Sequence, residues 1–223
     1  MLECERLGGE RAMRGQSVMP YGLRPLGPHD IDQVAAMERE AFPTLWPPTS
    51  YRRELKNKIA EYLVCVREGE FVTVTPPPRR GLLRLLGRRN KPTLPLRVPL
   101  LVGFVGLWYQ AGDAHIVSIA VREEYRRRGL GELLLIGALE MAMRRGQQVV
   151  TLEVRKSNES AQALYRKYGF EQTGLRRRYY ADNHEDAVIM TTEPLGSAEY
   201  EALLSGARSA FEERYGEATR EYL

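Results

Sequence analysis

Ile119-Ala120-Val121, running through Tyr125-Arg126-Arg127-Arg128-Gly129-Leu130-Gly131 into a long amphipathic stretch, constrains this chain more than any other segment. An apolar strand that ends in an arginine- and glycine-rich turn and opens a helix is a phosphate-binding device. The glycines let backbone N–H groups approach an anion without a side chain in the way. The new helix aims its positive end at the same point. The spacing is neither G-x-x-x-x-G-K-[ST] nor G-x-G-x-x-G, which removes the main support for an ATP loop and for a dinucleotide fold.

The pattern Arg126-x-x-Gly129-x-Gly131 resembles the pyrophosphate loop of the GNAT acetyltransferases, which hold acetyl-CoA. A solvated turn with a glycine at the start of a helix has the same spacing, so the rest of the chain has to decide between them.

At 223 residues, with 43% hydrophobic and 28% charged, the chain is long enough for one domain plus appendages. No apolar run approaches the roughly 20 residues of a membrane span, so no stable membrane insertion is expected. Met1 to Val18 lacks an apolar secretory core. Cys4 and Cys65 form neither a disulfide framework nor a metal spacing, and His29, His115 and His184 are scattered, so no metal is expected. These features point to the cytoplasm. Of the net charge of +4, Thr75 to Pro99 carries seven basic residues and no acid, so the remainder of the chain is net negative. The basic character is local and not a nucleic-acid footprint over the whole surface.

Residues 1–20 show no helical or strand period and read as a disordered extension. The main domain is expected over 21–195. Asp30 is placed as N-cap of a first helix, and Thr49 or Ser50 as cap of a second through about Lys58. Tyr62-Leu63-Val64-Cys65-Val66 and Phe71-Val72-Thr73-Val74, split by Glu68-Gly69-Glu70, read as hairpin strands. The basic segment 75–99 reads as an insertion, followed by strands from Leu100 and from His115. The helix after the glycine loop carries Leu130, Leu133, Leu134, Gly137, Ala138 and Met141 on one stripe. A strand over Val149 to Val154, a helix from Ser157-Asn158 to Gly169, and strands from Phe170 and from Asp186 follow. The region 196–223 reads as a helical extension outside the core.

Glu153 is anomalous among Val149, Val150, Leu152 and Val154, where a buried parallel strand favours apolar residues. Either alternation turns it to solvent, or it is a cleft carboxylate whose burial raises its pKa towards that of a general base. Tyr165, on the apolar stripe of its helix, is either core or a phenol directed at a reacting group. Asn158 either satisfies local backbone or holds a ligand.

These residues recur in order. Leu152-Glu153-Val154-Arg155-x-Ser157-Asn158, Ala161, Leu164-Tyr165, Tyr168-Gly169-Phe170, Gly174, Arg176-Arg177-x-Tyr179-Tyr180 and Glu185-Asp186-Ala187-x-x-Met190 resemble the RimI family, the GNAT branch of ribosomal-protein alanine N-acetyltransferases. The resemblance is dense from about Ile116 to Thr191 and thinner in Glu38-x-x-Ala41-Phe42-Pro43-x-x-Trp46-Pro47. It implies an α/β (α+β) GNAT fold: a mixed, central, twisted sheet flanked by helices, with a splayed strand pair binding acetyl-CoA. Ile119, Ala120 and Val121 would present backbone to the pantetheine arm from a splayed or bulged strand end. Arg126, Arg127, Arg128, Gly129, Leu130, Gly131 and Glu132 would wrap the pyrophosphate, and Asn158 would bind near the thioester. Glu153 matches the proton acceptor and Tyr165 the proton donor, while Phe42, Trp46, Tyr179 and Tyr180 would line the acceptor groove.

The activity implied is transfer of acetyl from acetyl-CoA, with no metal, to the N-terminal alanine amine of a small-subunit ribosomal protein, within a ternary complex. An α-amine, with a pKa of roughly 7.7–8.0, is already neutral in about one molecule in ten near pH 7, so a modest base suffices. A GNAT acting on other N-termini or on a small amine is the alternative. A non-catalytic module that docks RNA, the ribosome or an anionic membrane through 75–99 is a second.

Overall fold

The computed structural model describes residues 18–44, 47–74 and 94–222. In chain order the elements are β1 (Val18–Pro25), α1 (Ile31–Ala41), α2 (Tyr51–Glu54), β2 (Ala60–Val74), β3 (Leu96–Gln110), β4 (Asp113–Val121), a 3-10 turn (Glu123–Tyr125) and α3 (Leu130–Arg144). Then come β5 (Val150–Arg155), α4 (Glu159–Lys167), β6 (Phe170–Arg176), β7 (Ala187–Thr192), α5 (Ala198–Tyr215) and β8 (Glu217–Arg220). One mixed sheet holds all eight strands in the order β6-β7-β5-β4-β3-β2-β1-β8. Only β4/β5 and β1/β8 pair in parallel.

Two apolar clusters cover the two faces. Val34 and Met37 of α1 and Tyr51 of α2 pack with Val64, Leu101 and Phe104 on one face. α3, α4 and α5 pack with Leu63, Val105, Leu107 and Leu152 on the other. The middle of β3, Leu101 to Leu107, is therefore buried from both sides, which is why its sequence there carries no polar side chain.

Boundaries shift first: β1 begins at Val18, inside the extension expected over 1–20, β3 begins at Leu96, inside the expected insertion, and α2 stops at Glu54 and not near Lys58. Three further features differ from the sequence reading, each for a local reason. Glu68-Gly69-Glu70 is not a hairpin turn. β2 continues through it, with the register against β3 passing from Arg67↔Leu100 to Phe71↔Pro99, so these residues form a bulge closed by an Arg67–Glu70 ion pair of 2.7 Å. Asp30 stands at the N-cap of α1 but makes no side-chain cap bond. Its buried carboxylate instead accepts from Arg24, at 2.6 and 2.9 Å, and from the Gly27 N–H.

The third difference is the segment after Leu195. It is helical over α5 but not outside the core: Tyr200, Leu204 and Phe211 are buried against α3, α4 and the sheet. It also ends in a strand, β8, which pairs with β1. The reason is visible in α3, where Leu135, Ile136 and Leu139 lie off the expected stripe and are as fully buried as Leu133 and Leu134. A helix apolar on all sides needs cover on all sides, and α5 provides it.

Gly106 sits on β3 where a Cβ would come within 2.2 Å of the Tyr62 ring, itself held by a hydroxyl bond to Glu54. Gly106→Ala is expected to destabilise the fold by about 1–3 kcal/mol, as overpacking of a filled core does; urea midpoints of the two proteins measure it.

Candidate active site

β4 and β5 pair over only three residues, Ala114↔Val150, His115↔Thr151 and Ile116↔Leu152, and then part. Both continue: β4 to Val121 against β3, and β5 to Arg155 against β7. The parting coincides with a bulge. β3 registers Leu107 with Ile116 but Gly106 with Ser118, so Val117 is an extra residue on β4. A bulge bends its strand and raises the local twist, and here it turns Ile119, Ala120 and Val121 away from β5. Their β5-facing edge meets no strand, which makes the cleft between the two a slot lined by strand backbone.

At the end of β4 the chain turns through Arg126 to Gly129 into α3. No backbone N–H from Arg127 to Glu132 has a protein acceptor among the described residues; the first one taken up by α3 is that of Leu133, which bonds Gly129 O. Arg127 and Gly129 both lie in the left-handed region, at φ 63° and 79°. This alternation, at a helix N-terminus, gathers successive N–H groups into a concave anion nest. The residues fit a pyrophosphate.

The arginines divide in role. All three are exposed, but Arg128 lies against the Tyr125 ring and bonds Glu124 O and the Tyr21 hydroxyl, and Arg126 Nε reaches Val121 O at 3.4 Å. Glu132 also turns away, its carboxylate held by Lys167 and the Tyr168 hydroxyl on α4.

Glu153 stands on β5 one residue past the last pairing with β4. It is neither turned to bulk solvent nor set up as a base of raised pKa. His115 Nε2 lies 2.9 Å from Oε2 and Arg176 Nη2 lies 3.0 Å from Oε1. The His115 hydrogen bond, with the charges of His115 and Arg176, holds the carboxyl below its ordinary value against a desolvation that pushes it up. The expected upward shift is thus reversed by two partners from β4 and β6 that the strand pattern did not reveal. The other imidazole nitrogen, Nδ1, is 2.7 Å from Thr151 Oγ. Because an ionised carboxylate only accepts, Nε2 carries the proton offered to Glu153.

Tyr165 points its ring into the core against Phe170, and burial pushes its phenol up to about 12. Among the described residues its hydroxyl has no hydrogen-bond partner, in contrast to those of Tyr168 and Tyr200. Asn158 caps α4, its side-chain oxygen accepting from Ala161 N at 3.1 Å, which leaves its amide NH2 for another partner.

Phe42 terminates α1 and packs in the α1/α2 cluster. Trp46 lies outside the described residues. Buried Glu38 pins the connection after Phe42 by accepting from the Tyr51 hydroxyl and Thr49 N. Tyr179 and Tyr180 meet edge to face at 5.3 Å in the β6–β7 connection. Arg155 organises that connection, bonding Asp182, Asn183 and Glu185 and lying 3.8 Å from the Tyr180 ring centroid. Glu185 in turn accepts from Ser157 N at the entry to α4. No cluster of three or more metal-ligating side chains occurs among the described residues, and no helix there is long and apolar enough to cross a membrane.

The lowered pKa of Glu153 has a stability signature. The native state favours its ionised form, so that contribution is present above the unfolded carboxyl value near 4.3 and is lost as pH falls through the lower native value. The difference in urea midpoint between the native protein and Glu153→Gln is expected to be widest above about pH 5 and to close in more acid solution.

Comparison with known proteins agrees with this geometry. The family model described as acetyltransferase (GNAT) matches residues 88–170. A putative [ribosomal protein bS18]-alanine N-acetyltransferase of Bacillus subtilis is 34% identical over 169 residues, covering 75% of this chain and 92% of the relative. An N-alpha-acetyltransferase of Sulfurisphaera tokodaii is 35% identical over 172 residues, covering 76% and 91%. Among solved structures, the ribosomal-protein-S18-alanine N-acetyltransferase of Escherichia coli superimposes with a TM-score of 0.58 at 25% identity, over 80% of this chain and 96% of that one. With strands that part around a backbone-lined slot and a nest of N–H groups at its mouth, the chain belongs to the GNAT family, in its RimI branch of enzymes that carry acetyl from acetyl-CoA to protein N-termini.

Proposed function

We propose that this enzyme acetylates the α-amine of an N-terminal alanine in a small-subunit ribosomal protein, directly from acetyl-CoA while both substrates are bound. The observation that carries the reading is the ionised Glu153 at the point where β4 and β5 part, on the same slot whose far end is the N–H nest of 127–132. The relatives named above act, by their names, on an N-terminal alanine or α-amine, which supports the acceptor.

Acetyl-CoA supplies a thioester that a neutral amine can attack, releasing the CoA thiol. The protein's part is placement and charge. Arg126, Arg127 and the N–H groups of 127–132 hold the pyrophosphate, and the free edge of Ile119 to Val121 pairs with the pantetheine arm. A backbone N–H at the Val117 bulge would stabilise negative charge on the thioester oxygen. Held at a low pKa, Glu153 is a weak base with a strong conjugate acid, so it does not strip a free ammonium. With His115 fixed beside it, its carboxylate would take the proton after the amine has attacked, when the new N–C bond has made that nitrogen strongly acidic. Tyr165, its phenol pushed up to about 12, stays protonated until the carbon–sulfur bond breaks, when it would give its proton to the departing thiolate and regain one from solvent. Cys65 is buried with its thiol pushed up to about 12, which favours direct transfer over an acyl-cysteine. Phe42, Tyr179 and Tyr180 form the acceptor groove in this reading; Trp46, assigned to it from the sequence, lies outside the described residues.

The acetyltransferase unit, expected over 21–195, in this reading includes β1 from Val18 and the packed α5 and β8, and the basic segment 75–99, of which 75–93 lie outside the described residues, offers a weak contact to RNA or the ribosome. The cytoplasm is where such an acceptor is made.

Thiol release from acetyl-CoA with a peptide beginning Ala-Arg, against the same peptide with a blocked α-amine and a free lysine, tests the assignment. Turnover is expected only with the free α-amine, falling by about a hundredfold or more in Glu153→Gln and also falling in Tyr165→Phe. Turnover with the blocked peptide overturns it. Arg155→Lys keeps the charge but loses the planar fork that orders the β6–β7 connection. It is expected to raise the peptide KM by about tenfold while the acetyl-CoA KM stays unchanged.

A further inference from the structure

We propose that the carboxy-terminal extension takes part in cofactor binding. The ring of Tyr215 is a positioning residue that holds Gly129, and with it the arginine–glycine loop, in the conformation that presents its N–H groups. The proposal rests on the reading of that loop as the pyrophosphate cradle.

The loop has little to hold it from within. Its N–H groups from Arg127 to Glu132 have no protein acceptor among the described residues, and a non-glycine residue, Arg127, is held at positive φ. Such a conformation is disfavoured in an L-residue and persists only where surrounding structure imposes it. On the β1 side the support is Arg128, tied to Tyr21 and stacked on Tyr125. On the other side it is Tyr215, the last residue of α5. Its ring lies flat against Gly129: Cδ2, Cε2 and Cζ are each 3.0 Å from where a Cβ on Gly129 would stand. Glycine is thus required at 129 for two reasons, its φ of 79° and this ring.

The ring is delivered rigidly. Phe211, buried in the core one turn earlier, stacks on it at 5.1 Å, and the Arg214 guanidinium lies 5.0 Å from its centroid. The backbone turns sharply at Gly216, φ 92°, into β8, which is fixed along β1 by Glu221 N to Leu23 O. Arg220 on β8 pairs with Glu140 of α3 at 3.2 Å and with Glu212 of α5 at 2.6 Å. Helix, strand and α3 are locked together on either side of Tyr215, so its position relative to the first turn of α3 is set by the extension.

Calorimetric Kd for CoA, with KM for acetyl-CoA, KM for acceptor peptide and kcat, tests the proposal in three variants of the full chain. Tyr215→Ala is expected to weaken CoA binding and raise the acetyl-CoA KM by about tenfold, with kcat and peptide KM within about twofold. Tyr215→Phe is expected to restore native values, because the ring face and not the hydroxyl makes the contact. Leu204→Ala removes a buried side chain of the same helix against the far half of α3. It is expected to lower Tm without moving the acetyl-CoA KM. Tyr215→Leu replaces Tyr215→Ala, with the same expectation, if the latter does not fold. An unchanged KM in Tyr215→Ala, or equal rises in Tyr215→Ala and Leu204→Ala, overturns the proposal while leaving the cradle reading intact. Failure of the native protein to bind CoA overturns the cradle reading and the proposal together.

Discussion

The parting of β4 and β5 after Ile116 and Leu152 is the constraint on which the rest of the site depends. Strand backbone left unpaired inside a protein is unfavourable unless another group satisfies it. Here the unpaired edge is kept open by a one-residue bulge at Val117 and by the independent attachments of the two strands, β4 to β3 and β5 to β7. The slot is a product of the sheet's register. An extended, amide-bearing chain can complete the pairing that β5 abandons, which is why a pantetheine arm suits it.

The site illustrates how environment assigns roles to ordinary residue types. Glu153 in isolation would be a plausible base; between His115 and Arg176 it is a fixed anion. Its two oxygens are each fixed by a partner from another strand, which sets both its charge and its orientation. Tyr165 is the converse: burial favours its neutral phenol. One group is held ionised and the other neutral, a separation set by environment and not by residue type.

What the sequence disclosed was local. The glycine loop, the cap at Asn158 and the stripe of α3 depend on residues a few positions apart, and each is found where spacing placed it. What it withheld was assembled across strands. His115 and Arg176 reach Glu153 from β4 and β6, and nothing in their own neighbourhoods marks them as its partners. Glu68-Gly69-Glu70 carries turn chemistry, yet a long β3 gave β2 a reason to continue, and the turn signal became a bulge. The buried tail did leave a trace, in leucines and isoleucines on the far side of α3.

The pairing of β8 with β1 sets Glu217 beside Val18, so two segments separated by nearly the whole described chain are neighbours in the sheet. Contacts this distant in sequence close the largest loop and come late in folding. As synthesis proceeds, β1 offers an open edge, with free N–H and C=O groups, until the tail arrives to cover it. The last helix and strand therefore also act as a latch on the nascent molecule. Truncation at residue 195 would remove more than an appendage, because it would leave a permanent sheet edge and an uncovered face on α3.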